Sequence, residues 1–151
     1  MKAKLLHEDD GQRTFALVFD TGDSVMEQLK AFAAKEKLAG AQFTGIGAFS
    51  AVTLGYFDWE KKDYLGHDYA EQVEVASLTG DVALGPDGKP AIHVHCVLGR
   101  GDYSALAGHL LNATVRPTLE LVLTESPVHL RKKHDATSGL ALIDLDAAIR
   151  S

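Results

Sequence analysis

Residues 14–20 read TFALVFD, with apolar side chains at both alternating sets of positions. That pattern predicts a strand covered on both faces. Asp20, Thr21 and Gly22 interrupt it, and the period then changes. Val25, Leu29, Phe32 and Ala33 recur at helical spacing, and Ser24 with Glu27 has the S-x-x-E spacing of a capping box. The helix is expected to reach about residue 38, with Gly40 placed to end it. Phe43, Val52, Leu54, Tyr56 and Trp59 are strand-type residues around Gly45 and Gly47. They predict a short strand, a glycine corner and a longer strand. After a polar turn at Lys61, Lys62 and Asp63, residues 71–84 predict another strand, bulged near Thr79 and Gly80. Gly85, Pro86, Asp87 and Gly88 form a strong turn signal between two β-type runs, so a hairpin is expected. Its second arm, PAIHVHCVLGR, puts Ile92, Val94, Cys96 and Leu98 on one face and His93, His95 and Val97 on the other. Residues 104–111 read as a short helix or a loop. Residues 118–124 read as a last strong strand, with Leu119, Leu121 and Leu123 on one face. The tail is polar from Ser126 until Leu140, Leu142, Ile143 and Leu145, which are expected to dock as a final short segment. Strands outnumber helices, so the fold class is α/β of the α+β kind. Its sheet is expected to be mixed and mostly antiparallel, with one main helix packed on a face.

Composition narrows the function classes. The chain has 151 residues, 46% hydrophobic and 24% charged, the balance of one globular domain over 1–151, with a core at about 14–125 and a polar tail at 126–151. Its one cysteine, Cys96, excludes an intrachain disulfide and a multi-cysteine zinc module. Cys96 falls on the apolar strand face, where packing is the expected role. No apolar run approaches the ~20 residues of a membrane span, and the first ten residues lack a signal-peptide core. The reading is therefore cytoplasmic, with no membrane partner. The net charge of −6 disfavours direct DNA binding, which draws most non-specific affinity from concentrated positive charge. The one dense basic run, Arg131, Lys132, Lys133 and His134, reads as a solvated surface segment.

The chemistry concentrates in histidines. His93 and His95 stand two apart on a strand and point the same way, a common means of offering two nitrogen ligands to a transition metal. A third ligand must come from elsewhere. His109 is the best placed, because it follows a glycine-containing loop leaving the same strand. Glu74 and Glu120 are strand carboxylates that could face the same cleft and serve as a catalytic base. The competing reading makes His93 and His95 ordinary strand residues satisfied by hydrogen bonds. His7, His67, His129 and His134 read as surface histidines. No phosphate loop or nucleophile elbow is present. No reaction is specified, and the reading leans away from an enzyme.

Three segments together resemble the plants-and-prokaryotes-conserved (PPC) domain family. These are TGIGAFSAVTLGYFD at 44–58, EQVEVASLTGDVAL at 71–84, and AIHVHCVLGRGDYSALAGHLLNATVRPTLELVLTE at 91–125. The tail HDATSGLALIDL is similar to the end of stand-alone bacterial members. The resemblance implies a curved sheet and a homotrimer. It also implies that His93, His95 and His109 converge, as in the prokaryotic pattern, although Ala107 stands where many members have the first of two glycines. Zinc is the first choice of ion, with nickel, copper and iron also compatible with imidazole ligands. The family is often labelled DNA-binding, but this chain lacks the Arg-Gly-Arg-Pro minor-groove segment of plant members. Two functions follow: a regulatory or interaction module under the family's DNA-binding label, or a metal-dependent enzyme or small-molecule binder.

Overall fold

A computed structural model describes residues 1–147. In chain order the elements are β1 (Lys2–Asp9), β2 (Gln12–Asp20), α1 (Val25–Glu36), β3 (Gly40–Asp58), β4 (Asp63–Tyr69), β5 (Val73–Leu84), β6 (Pro90–Gly99), β7 (Ala105–Glu125), β8 (Lys132–His134) and β9 (Ala141–Ile143). The first seven strands form one sheet in the order β1-β2-β7-β6-β5-β3-β4, and β8 and β9 form a separate hairpin. Every strand pairing within both sheets is antiparallel. Because β7 also pairs with β3, strands β3, β5, β6 and β7 close into a ring, which curves the sheet. One face of that sheet carries the core, where Leu17, Phe43, Phe49, Leu78, Val94 and Leu121 pack in a single cluster. Helix α1 covers it through Val25, Leu29, Phe32 and Ala33. Phe32 meets Phe15 of β2 edge to face, with ring centroids 5.3 Å apart.

Several local expectations change. In β2, Phe15, Leu17 and Phe19 are buried, but Val18 is 37% exposed. The strand is thus covered on one face, and its second apolar face looks outward. Ser24 caps α1 by position only. Its hydroxyl donates to Asn112 Oδ1 at 3.0 Å on β7 instead of to a helix amide. The helix ends at Glu36 with Lys37 left-handed at φ 55°, its backbone N–H donating back to the last turn. Gly40 instead begins β3, where a Cβ would come 2.7 Å from the Val128 carbonyl oxygen. Residues 40–58 form one long strand that turns its glycine corner through a register shift between Gly45 and Gly47. The β5 bulge lies between Val75 and Ser77, while Gly80 is needed for the close approach of the Phe43 ring and the His93 carbonyl.

Ser104 stays in the preceding loop, but residues 105–111 are neither helix nor loop. They begin β7, a 21-residue strand that pairs first with β6 and then with β2 while β3 lies alongside. Leu110 is fully buried there, on the core face of the strand. The mostly polar strands β1 and β4 are edge strands with almost no buried residues, which is why hydrophobic periodicity does not reveal them. The hairpin at residues 85–88 is as expected, with Gly88 at φ +75°. The tail meets the sheet where Leu84 N–H donates to the Leu130 carbonyl at 2.8 Å, and β8 pairs with β9, but the expected apolar docking is not found: Leu142, Ile143 and Leu145 are exposed.

Candidate metal centre

Register assembles this site. The hairpin between β5 and β6 pairs Thr79 with His95 and Asp81 with His93. The next hairpin, between β6 and β7, pairs His95 with His109. Cross-strand partners share a face, so Asp81, His93, His95 and His109 stand together on the side away from the core. Val94, Cys96 and Leu98, the alternate residues of β6, are buried. Burial also pushes the Cys96 thiol up to about 11, in keeping with a packing role.

The three histidines each offer a ring nitrogen, and these atoms all lie within 4.8 Å of one another. They are the one such group of three or more possible ligands among the described residues. His93 Nε2 and His95 Nε2 are 3.1 Å apart. The ring centroids are 4.9 Å apart for His93 and His95, 5.1 Å for His93 and His109, and 5.3 Å for His95 and His109. A tetrahedral ion with bonds of ~2.0–2.1 Å sets neighbouring nitrogens about 3.3 Å apart. The first pair is close to that spacing at 3.1 Å, and the His109 nitrogen lies within 4.8 Å of both. His109 Nδ1 is buried with no hydrogen-bond partner, an unmet demand that suits a ligand-binding ring. The donor set, three imidazoles and no thiolate, fits zinc and its neighbours.

The electrostatics favour the neutral form of two of these rings. His109 is pushed down to about 4, first by burial and then by the neighbouring His93, His95 and Lys132. His95 is lowered by the crowding around its ring and by His93. A neutral imidazole is the metal-binding form. Two residues that sequence reasoning did not single out frame the cluster. The Tyr64 ring stacks on His109 with centroids 4.2 Å apart, and it reaches across Gly55, where a Cβ would come 3.0 Å from the tyrosine ring. Asp81 Oδ2 lies 3.4 Å from His93 Nδ1, and Asp81 Oδ1 lies 2.9 Å from Lys132 Nζ. Burial opposes ionisation of Asp81, but the contacts from His93 and Lys132 prevail and hold its carboxyl below the usual carboxylate range.

Lys132 also revises the basic run. Its side chain is only 8% exposed and belongs to the site, whereas Arg131, Lys133 and His134 are exposed as expected. Counting back from the turn at residues 85–88 would have placed Asp81 opposite His93. No pattern in the sequence announces Lys132 or Tyr64. Glu74 and Glu120 lie on the same open face but line a separate groove of about 560 Å³ with Ile46, Gly47 and Thr118. The small hollow beside His95, about 140 Å³, is lined by Ser77, Thr79, Val97 and Ala107.

Comparison with known proteins agrees with this architecture. A protein from Bacteroides thetaiotaomicron, provisionally labelled DNA-binding, is 26% identical with a TM-score of 0.83, over 95% of this chain and 98% of its own. A similarly labelled protein from Ralstonia eutropha JMP134 is 32% identical with a TM-score of 0.80, over 87% and 90%. A protein from Archaeoglobus fulgidus, described as metal-containing, is 32% identical with a TM-score of 0.79, over 86% and 91%. No curated protein matches the chain. The model of the Plants and Prokaryotes Conserved (PCC) domain matches residues 6–127. With that match over most of its length, and a ring-closed sheet covered by a helix, the chain belongs to that family.

Proposed function

We propose that this protein binds a divalent transition metal, zinc in the first instance, through His93, His95 and His109, and works as a homotrimeric metal-binding module. The observation that carries the reading is the convergence of three imidazole nitrogens from two adjacent strands within 4.8 Å. The description of the Archaeoglobus fulgidus relative as metal-containing supports it. Three protein ligands leave a fourth position for water or a small oxygen-donor ligand, the arrangement of catalytic zinc sites. Glu74 and Glu120 stand outside the hollow beside His95, so a base role for either would need a ligand that extends along the open face. The trimer is supported by that face, where Val18, Ile46, Val97 and Val122 are all exposed. A second copy of the chain would cover it.

The test is metal uptake by protein purified without an affinity tag. His93→Ala and His95→Ala are expected to abolish uptake while leaving the fold largely intact, because Val94, Cys96 and Leu98 on the other face do the packing. His109→Ala is expected to reduce it. Affinity should fall in acid as protons compete for the imidazoles, with the loss extending toward about pH 4, where His109 takes up its proton. Wild-type levels of metal in His93→Ala would refute the assignment.

A DNA-binding role is carried by the labels of two relatives. The net charge of −6 and the Lys132–Asp81 pairing weigh against direct contact. A mobility-shift assay with a salt titration is expected to show no complex at physiological salt. A complex whose affinity falls steeply with salt would reinstate it.

A further inference from the structure

His93 Nε2 faces the Nε2 of His95, and His93 Nδ1 faces Asp81 Oδ2 at 3.4 Å. A neutral imidazole carries one proton, so only one of these directions can receive a bare lone pair. Asp81 is not free to turn away. It sits opposite His93 in the β5–β6 register, and its other oxygen, buried and without a hydrogen bond of good geometry, forms an ion pair at 2.9 Å with the ammonium of Lys132. The Lys132 ammonium is itself confined, because its side chain is only 8% exposed. The two carboxylate oxygens are thus divided between a cation from the tail and a ring from the metal centre.

We infer that Asp81 is a positioning residue that accepts the Nδ1–H of His93 and so fixes this ring with its bare Nε2 turned toward His95 and His109. Carboxylates that orient metal-bound imidazoles fix the tautomer and raise ligand basicity. The inference rests on the metal reading for its purpose but not for its geometry, since the tautomer is a property of the metal-free chain. It also gives the tail a role, because Lys132 lies outside the strands that carry the ligands and still sets the orientation of the carboxylate.

The tautomer is read directly from long-range proton–nitrogen correlation spectra of metal-free, ¹⁵N-labelled protein at about pH 8, where imidazoles are neutral. His93 is expected to show a protonated Nδ1 and a bare Nε2. The opposite tautomer overturns the proposal, and this readout needs no variant to fold. Cobalt(II) titration then measures the consequence. Asp81→Ala is expected to weaken cobalt binding about 10- to 100-fold. Asp81→Asn, which keeps an acceptor oxygen in place, is expected to recover part of the loss. Unchanged affinity in Asp81→Ala overturns the positioning role. If the wild type shows the stated tautomer but takes up no cobalt, the metal reading fails and the Asp81–His93 orientation stands.

Discussion

His109 shows at the scale of one residue how the site depends on its surroundings. Its imidazole is held neutral down to about 4 by burial and by the other two histidines and Lys132. A solvated imidazole protonates near ~6.5. Between those values the unfolded chain binds a proton that the folded chain refuses, so stability is present above ~6.5 and is lost as pH falls toward about 4. Each pK unit is worth about 1.4 kcal/mol, and solvent screening of this half-buried ring reduces the total to ~1–3 kcal/mol. Thermal unfolding of the metal-free protein should therefore fall in midpoint from about pH 7 to pH 4. His109→Gln, which cannot titrate, should flatten part of that slope. An identical slope in the variant would show that the ring is protonated as easily folded as unfolded. The histidine cluster itself was legible from H-x-H spacing and a following glycine loop. Lys132 was not, because a basic run looks the same whether it is solvated or one member turns inward against a carboxylate.

The hairpins are the elements that decide the site. The Gly85–Gly88 turn sets Asp81 against His93 and Thr79 against His95, and a slip of one residue would send the histidines to the core face. Gly88 has φ +75°, and nothing lies within 4 Å of where its Cβ would be, so the cost of a side chain there is backbone strain alone. Gly88→Val is expected to lose about 1–3 kcal/mol of stability. Gly47 is the contrasting case. Its φ is not in the left-handed region, but a Cβ would run into the Thr118 carbonyl of β7. Gly47→Ala should destabilise by a similar ~1–3 kcal/mol through that clash. Chemical denaturation of both variants checks this, and wild-type stability in either would show that its turn or crossing is misread. Turn chemistry and strand patterns made β2, β5 and β6 readable, and helical spacing made α1 readable. The start of β7 was hidden because one strand serves three partners along its length, and edge strands β1 and β4 carry too few buried residues to leave a pattern.

At the scale of the whole molecule, the sheet has one face filled by the core and α1 and another that still shows Val18, Ile46, Val97 and Val122 to solvent. The doubly apolar strands were visible in the sequence, but which face would remain open was not, since that depends on where the ring closes. Analytical ultracentrifugation at micromolar concentration is expected to show a trimer, and a monomer alone would contradict the proposed assembly. Among the described residues no helix is long and apolar enough to cross a membrane. The central claim is that three imidazoles brought together by two hairpins hold a metal ion. Elemental analysis of tag-free protein, wild type beside His93→Ala, tests it most directly. About one zinc or related ion per chain in the wild type and none in a folded His93→Ala is the predicted result. Metal-free wild type, or equal metal in both proteins, would contradict it.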